Sequence, residues 1–100
     1  MAIIQARNNL TSDQYQQTFD ELTAAGFRLK VISGCEGFGQ PLFAAIFEQD
    51  GGPAFQARHN LTSDQYQQTF DELTAAGFQL TWVNGYEVGG QPLFAAIFEQ

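Results

Sequence analysis

The chain is written twice, and that limits what it can fold into. Residues 5–49 align on residues 56–100 without a gap, at an offset of 51, and about four positions in five are identical. A unit of about 50 residues is marginal by itself, so each copy is expected to complete its core against another copy. The expected division is repeat 1 over residues 1–49, a linker over 50–53 and repeat 2 over 54–100, together one domain. The linker, Asp50-Gly51-Gly52-Pro53, is a turn sequence short enough to keep the units neighbours.

One unit reads β-α-β-β. Ile3 to Arg7 alternates weakly, as a strand does. Thr11 with Gln14 makes a capping box, Leu10 and Tyr15 stand where a hydrophobic staple would, and Asp13 lies in the first turn. Tyr15, Phe19 and Leu22 recur at helical spacing, and Gly26 follows as a left-handed cap. Phe27, Leu29 and Val31 then alternate as a half-buried strand, which puts Phe78, Leu80 and Trp82 on the buried face of its counterpart. The Gly-rich segment Gly34 to Gln40 turns the chain. Pro41 opens a last strand, Leu42 to Phe47, which is apolar at every position and so calls for cover on both faces.

The expected class is α+β: two tandem βαββ repeats in a mixed sheet, with the helices on one face. The first two strands of each unit should run parallel through a right-handed crossover. The second face of the last strand has two candidate covers. One is the other repeat, by curling the sheet toward a barrel; the other is a second chain, which makes a homo-oligomer the expected state.

Composition narrows the partners. Of 100 residues 44% are apolar and 15% charged, a globular balance, and the net charge of −7 opposes binding to nucleic acid or an anionic membrane. No apolar run approaches the length of a bilayer span. The segment Met1 to Asn9 has neither a basic n-region nor an apolar h-region, so no signal peptide is expected there. The single cysteine excludes an internal disulfide. These features fit a reducing cytoplasm and equally a processed, exported chain.

The string Ala57-Arg58-His59-Asn60-Leu61-Thr62, followed by Tyr66-Gln67, Phe70-Asp71-Glu72-Leu73, Gly77-Phe78, Val83-Asn84-Gly85-Tyr86 and Phe94 to Glu99, resembles the bacterial tandem-repeat domain. Similar repeats precede the serine-hydrolase, β-lactamase-like domain of secreted polyglycine hydrolases. The resemblance covers nearly the whole chain, twice, and implies an accessory repeat module. No catalytic residue carries over, because Ser-x-x-Lys is absent. Repeat 1 departs from the pattern, with Asn8 for the histidine and Cys35 for the tyrosine.

Little else in the sequence resembles catalytic chemistry. Cys35 and His59 stand at non-equivalent positions, one per copy, which argues against a nucleophile and its base. They are too few for a zinc site, and the acidic residues Asp13, Asp20 and Glu21 fit a solvated helix face better than a calcium loop. No cofactor is implied. Arg7 and Arg58 are expected to pair with Glu36, Glu87, Glu48 or Glu99, or else to recognise a carboxylate or sugar.

Apart from Asn8/His59, every difference between the aligned copies falls between residues 28 and 38 or their partners. The changes Val31→Trp82, Ser33→Asn84 and Cys35→Tyr86 add two aromatic rings and an amide to repeat 2. The expected role is therefore a non-enzymatic structural or binding module that self-associates. The alternative is a carbohydrate or extended-peptide binder at the Gly-rich turns. Its candidate ligand residues are Arg58, His59, Asn84, Tyr86, Glu87 and Gln91, with Arg7, Glu36 and Gln40 in repeat 1.

Overall fold

The computed structural model describes residues 3–49 and 51–100; Met1, Ala2 and Asp50, the first residue of the expected linker, lie outside the described residues. Repeat 1 contains β1 (Ile3–Thr11), α1 (Ser12–Ala24), β2 (Arg28–Gly37) and β3 (Gln40–Gln49). Repeat 2 contains β4 (Phe55–Leu61), α2 (Ser63–Ala75), β5 (Gln79–Val88) and β6 (Gln91–Glu99).

The helix signals act as their chemistry dictates. Thr11 Oγ1 accepts from the Gln14 backbone N–H at 3.2 Å, and Gln14 Oε1 accepts from the Thr11 N–H at 2.9 Å. At the other end Gly26, at φ +92°, lets Phe27 N–H reach Leu22 O and Gly26 N–H reach Thr23 O, a Schellman closure. The second helix repeats both devices.

Each repeat forms a three-stranded sheet, in the order β1-β3-β2 and β4-β6-β5, and every pairing is antiparallel. The expected mixed sheet is thus not what forms. β1 and β2 do point the same way, but β3 lies between them. The cause is the connection: Phe38-Gly39, at φ +55° and +77°, makes a two-residue hairpin that returns the chain directly beside β2. The Gly-rich segment is therefore mostly strand and turns only at its tip. The most apolar strand takes the centre, where both its edges are paired.

Register assigns the faces, because directly paired residues in an antiparallel ladder share one. Phe43, Ala45 and Phe47 form the inner face of the first sheet; Leu42, Ala44 and Ile46 form its outer face. The α1 rings meet the inner face, Tyr15 on Phe43 at 5.2 Å and Phe19 on Phe47 at 6.4 Å. In repeat 2, Tyr66 and Phe70 meet Phe94 and Phe98 likewise, at 5.2 and 6.5 Å. A bulge between Leu29 and Val31 breaks the expected alternation, so Leu29 and Ile32 share the inner face and Val31 points outward. The same bulge puts Trp82 opposite Leu80, at the rim and 36% exposed, not in the core.

The two sheets stay separate and do not close into a barrel. Side chains of β5 occupy the free edge of β2: Trp82 Nε1 donates to Ile32 O at 2.7 Å, and Asn84 Oδ1 accepts from Gly34 N–H at 2.8 Å. Edge groups bonded to side chains are not offered to a neighbouring strand.

Phe38 is fully exposed at a left-handed position where repeat 2 has Gly89. That conformation costs a residue with a Cβ roughly 1–2 kcal/mol. Glycine's greater freedom in the unfolded chain offsets roughly 0.5–1 kcal/mol of that relief, so Phe38→Gly is expected to raise the melting temperature by a few degrees, about 8 °C at most, in a calorimetric scan.

Candidate functional site

The residues that differ between copies come together where repeat 2 sits on repeat 1. Ala57, Ile97 and Leu93 occupy the outer face of the second sheet, with Tyr86 and Trp82 paired beside them. That face packs on the inner, helix-bearing face of the first sheet, and a single apolar core spans Tyr15, Leu29, Ile32, Phe43 and Phe47 of repeat 1 and Tyr86, Ala95 and Ile97 of repeat 2. His59 lies edge-on to Tyr15 at 4.9 Å and to Phe43 at 5.5 Å, Tyr86 meets Phe43 at 5.5 Å, and Phe55 meets Phe19 at 6.0 Å.

The packing is one-sided. A two-fold arrangement would also set Ile4 on Phe70 and Asn8 on Tyr66, yet Ile4 is 60% exposed and Asn8 is exposed. Residues identical in the two copies show the same asymmetry. Ile97 is 1% exposed and its equivalent Ile46 39%; Tyr15 is buried and its equivalent Tyr66 only half-buried. Inner faces are covered in repeat 1 and outer faces in repeat 2, so the repeats associate head to tail.

Tyr86 is the centre of this contact. Its ring lies against Gly34, where an added Cβ would come within 2.6 Å of ring carbon. Its hydroxyl accepts from Asn60 N–H at 2.7 Å and donates to Asn60 Oδ1 at 2.8 Å. Asn60 Nδ2 then donates to Ser12 Oγ at 2.9 Å, which joins the β4 bulge to the start of α1. Asn60 holds φ +56° in that bulge, a conformation asparagine tolerates better than most residues. Burial pushes the Tyr86 hydroxyl up to about 12, partly offset by the Asn60 N–H that it accepts, and burial raises Tyr15 as well.

The linker end is fixed by Arg28. Its guanidinium pairs with Glu99, its Nε donates to Pro53 O at 3.2 Å, and it stacks over the Phe55 ring at 5.7 Å. Sequence reasoning missed this pair because the partners lie 71 residues apart in the chain; the available signal was that repeat 2 has Gln79 at the equivalent position. The pairs expected for Arg7 and Arg58 do not form among the described residues. Each guanidinium instead bonds a glutamine two residues back, Gln5 or Gln56, and the intervening carbonyl.

The expected ligand residues thus divide. His59, Asn84 and Tyr86 join the repeats, and Glu36 does so through Oε1, which accepts from Gly89 N–H at 2.7 Å. Glu87, Gln91, Gln40 and Arg7 are exposed. Arg58 and His59 border a cleft of about 420 Å³ between β4 and α2, with Asn60, Gln65, Gln68 and Glu72. Cys35 is exposed, and His59 is turned onto the rings of Tyr15 and Phe43. Among the described residues no three of His, Cys, Asp and Glu gather into a possible metal site, and no helix is long and apolar enough to cross a membrane.

The polyglycine hydrolase-like structural repeat matches residues 4–50 and again residues 52–100. The chain belongs to this family. The two matches coincide with the two βαββ units, so each matched stretch of this chain contains one helix and one three-stranded sheet. No curated protein matches the chain.

Two outcomes follow from the geometry. Gly34→Ala should destabilise the chain by about 1–3 kcal/mol, whereas Gly85→Ala at the equivalent position should leave it as stable or raise its stability by up to about 1 kcal/mol, both read from urea unfolding. His59 is the second test. Burial lowers its pKa below the ordinary value. An unfolded chain takes up that proton near pH 6.5 while the folded chain still resists it, so stability falls as the pH drops below about 6.5. His59→Asn, which restores the residue of repeat 1, should flatten the urea midpoint between about pH 7 and 5.5, above the carboxylate range.

Proposed function

We propose that this chain is a non-enzymatic structural module whose work is to pack repeat on repeat, and that it associates with further repeats. The observation that supports this reading is the use made of the residues unique to repeat 2. His59, Trp82, Asn84 and Tyr86 all contact repeat 1. Rings and amides that could have formed a ligand platform instead join two units. The description of the matched family as a structural repeat agrees with this.

A second reading rests on the cleft beside α2. Arg58, Gln65, Gln68 and Glu72 present hydrogen-bonding groups of the kind that hold a sugar or an extended peptide. The Gly-rich tips contribute nothing to that cleft.

Tyr86→Ala separates the readings. Under the structural one it should cost about 3–5 kcal/mol in urea unfolding, the usual loss for a buried aromatic ring, with no accompanying loss of a binding activity. A variant that keeps its unfolding midpoint but loses binding on a glycan or peptide array would overturn the structural reading. Arg58→Ala is the matching variant for the cleft: it should leave the fold intact and abolish any such binding if the second reading holds.

A further inference from the structure

The head-to-tail contact leaves an equivalent surface unused on repeat 2. Tyr66, Phe70, Val83, Gly85 and Phe94 stand where Tyr15, Phe19, Ile32, Gly34 and Phe43 receive repeat 2. They remain open: Val83 is 46% exposed against 0% for Ile32, and Tyr66 and Phe94 are only partly buried. Gly85 is the informative position. At Gly34 the Tyr86 ring excludes a side chain, but at Gly85 an added Cβ would meet only Phe94, at 3.4 Å and beyond. Its φ is not in the left-handed region either. Nothing among the described residues requires glycine there, yet the slot that admits a tyrosine ring is kept.

The outer face of repeat 1 does not supply what that surface fits. It carries Ile4, Asn8, Val31 and Cys35 in place of Phe55, His59, Trp82 and Tyr86. The phenol, the indole and the imidazole are all gone. Asn9 and Cys35, equivalents of Asn60 and Tyr86, border a cavity of about 100 Å³. A second copy presenting repeat 1 would therefore leave the Gly85 slot unfilled and the edge of β5 without its side-chain partners.

We propose that the α2-bearing face of repeat 2 is a docking surface for one further repeat of the repeat-2 type, and that repeat 1 is the terminal unit of such a stack. The occupant carries a tyrosine for the Gly85 slot, a tryptophan to donate to the Val83 carbonyl and an asparagine to accept from Gly85 N–H. This assignment rests on the stacking reading of the function. It adds the direction of growth and the identity of the next unit.

The test is the full chain extended after Gln100 by an aspartate and a second copy of residues 51–100, compared with the unextended chain, each with and without Gly85→Val. Hydrogen exchange of the α2 amides and the urea midpoint are the readouts. The added unit should slow α2 exchange by roughly tenfold or more. Gly85→Val should reverse that slowing in the extended chain without lowering the midpoint of the unextended chain. Unchanged α2 exchange, or an added unit that stays unfolded, overturns the proposal. So does an equal destabilisation by Gly85→Val in both chains, which would mean that Gly85 serves the chain itself. If the unextended chain shows a concentration-dependent mass that Gly85→Val abolishes, a second copy is the occupant and the assignment fails. Tyr86→Ala distinguishes this failure from failure of the stacking reading, because it probes only the contact between repeats 1 and 2.

Discussion

Tyr86 against Gly34 is the contact on which the rest of the molecule depends. A strand glycine normally weakens a sheet, because it packs nothing and loses more entropy on ordering than other residues. Here it admits an aromatic ring from the other repeat to van der Waals distance of the β2 backbone. The ring carries a hydroxyl to the Asn60 bulge, and the bulge reaches Ser12 at the start of α1. One side chain thus ties together the edge strand of repeat 1, the first strand of repeat 2 and a helix terminus. Removing it would leave two units, each too small to bury an adequate core by itself.

Identical sequences adopt the same fold here but do not share the same environment. The 13 residues of α1 and of α2 are the same, SDQYQQTFDELTA, and have the same caps. Yet Tyr15 is buried beneath His59, and Tyr66 has no such cover among the described residues. In a two-fold pair the equivalent residues would be buried alike. A head-to-tail pair necessarily makes them unlike, because one unit donates its outer face and the other its inner one. The divergence between the copies follows that division closely. Repeat 2 carries rings and polar groups on the face it donates, and repeat 1 lacks them on the face it does not use.

Much of the local structure was legible. The helices could be read from the capping box, the apolar stripe and the terminal glycine, because these signals act over three to five residues. The third strand could be read as the most apolar from its unbroken run, but its central place could not, since the first two strands were expected as parallel partners in a mixed sheet and it lies between them. The second strand was read with the wrong face at its end, because a one-residue bulge reverses alternation and carries no short-range marker. The candidate site was legible as a set of positions and not as a role. Asn84, Tyr86 and His59 stood out as differences between copies, but whether they faced a ligand or the other repeat depended on how the sheets met. Arg28 was overlooked for the same reason, since its carboxylate partner is 71 residues away.

By itself, then, the sequence determined that the chain has two βαββ units, where each helix starts and stops, and which strand is the most deeply apolar. These follow from periodicity and from bonds between residues close in the chain. Only the tertiary structure decided that the sheets remain separate, that the repeats join head to tail, and that the aromatic differences lie in the contact between them. Two nearly identical units could pair by a two-fold axis or by translation, and neither periodicity nor composition distinguishes the two. The choice is made by long-range fit, a ring in a glycine slot and a buried guanidinium against a distant carboxylate, which exists only once both surfaces are built.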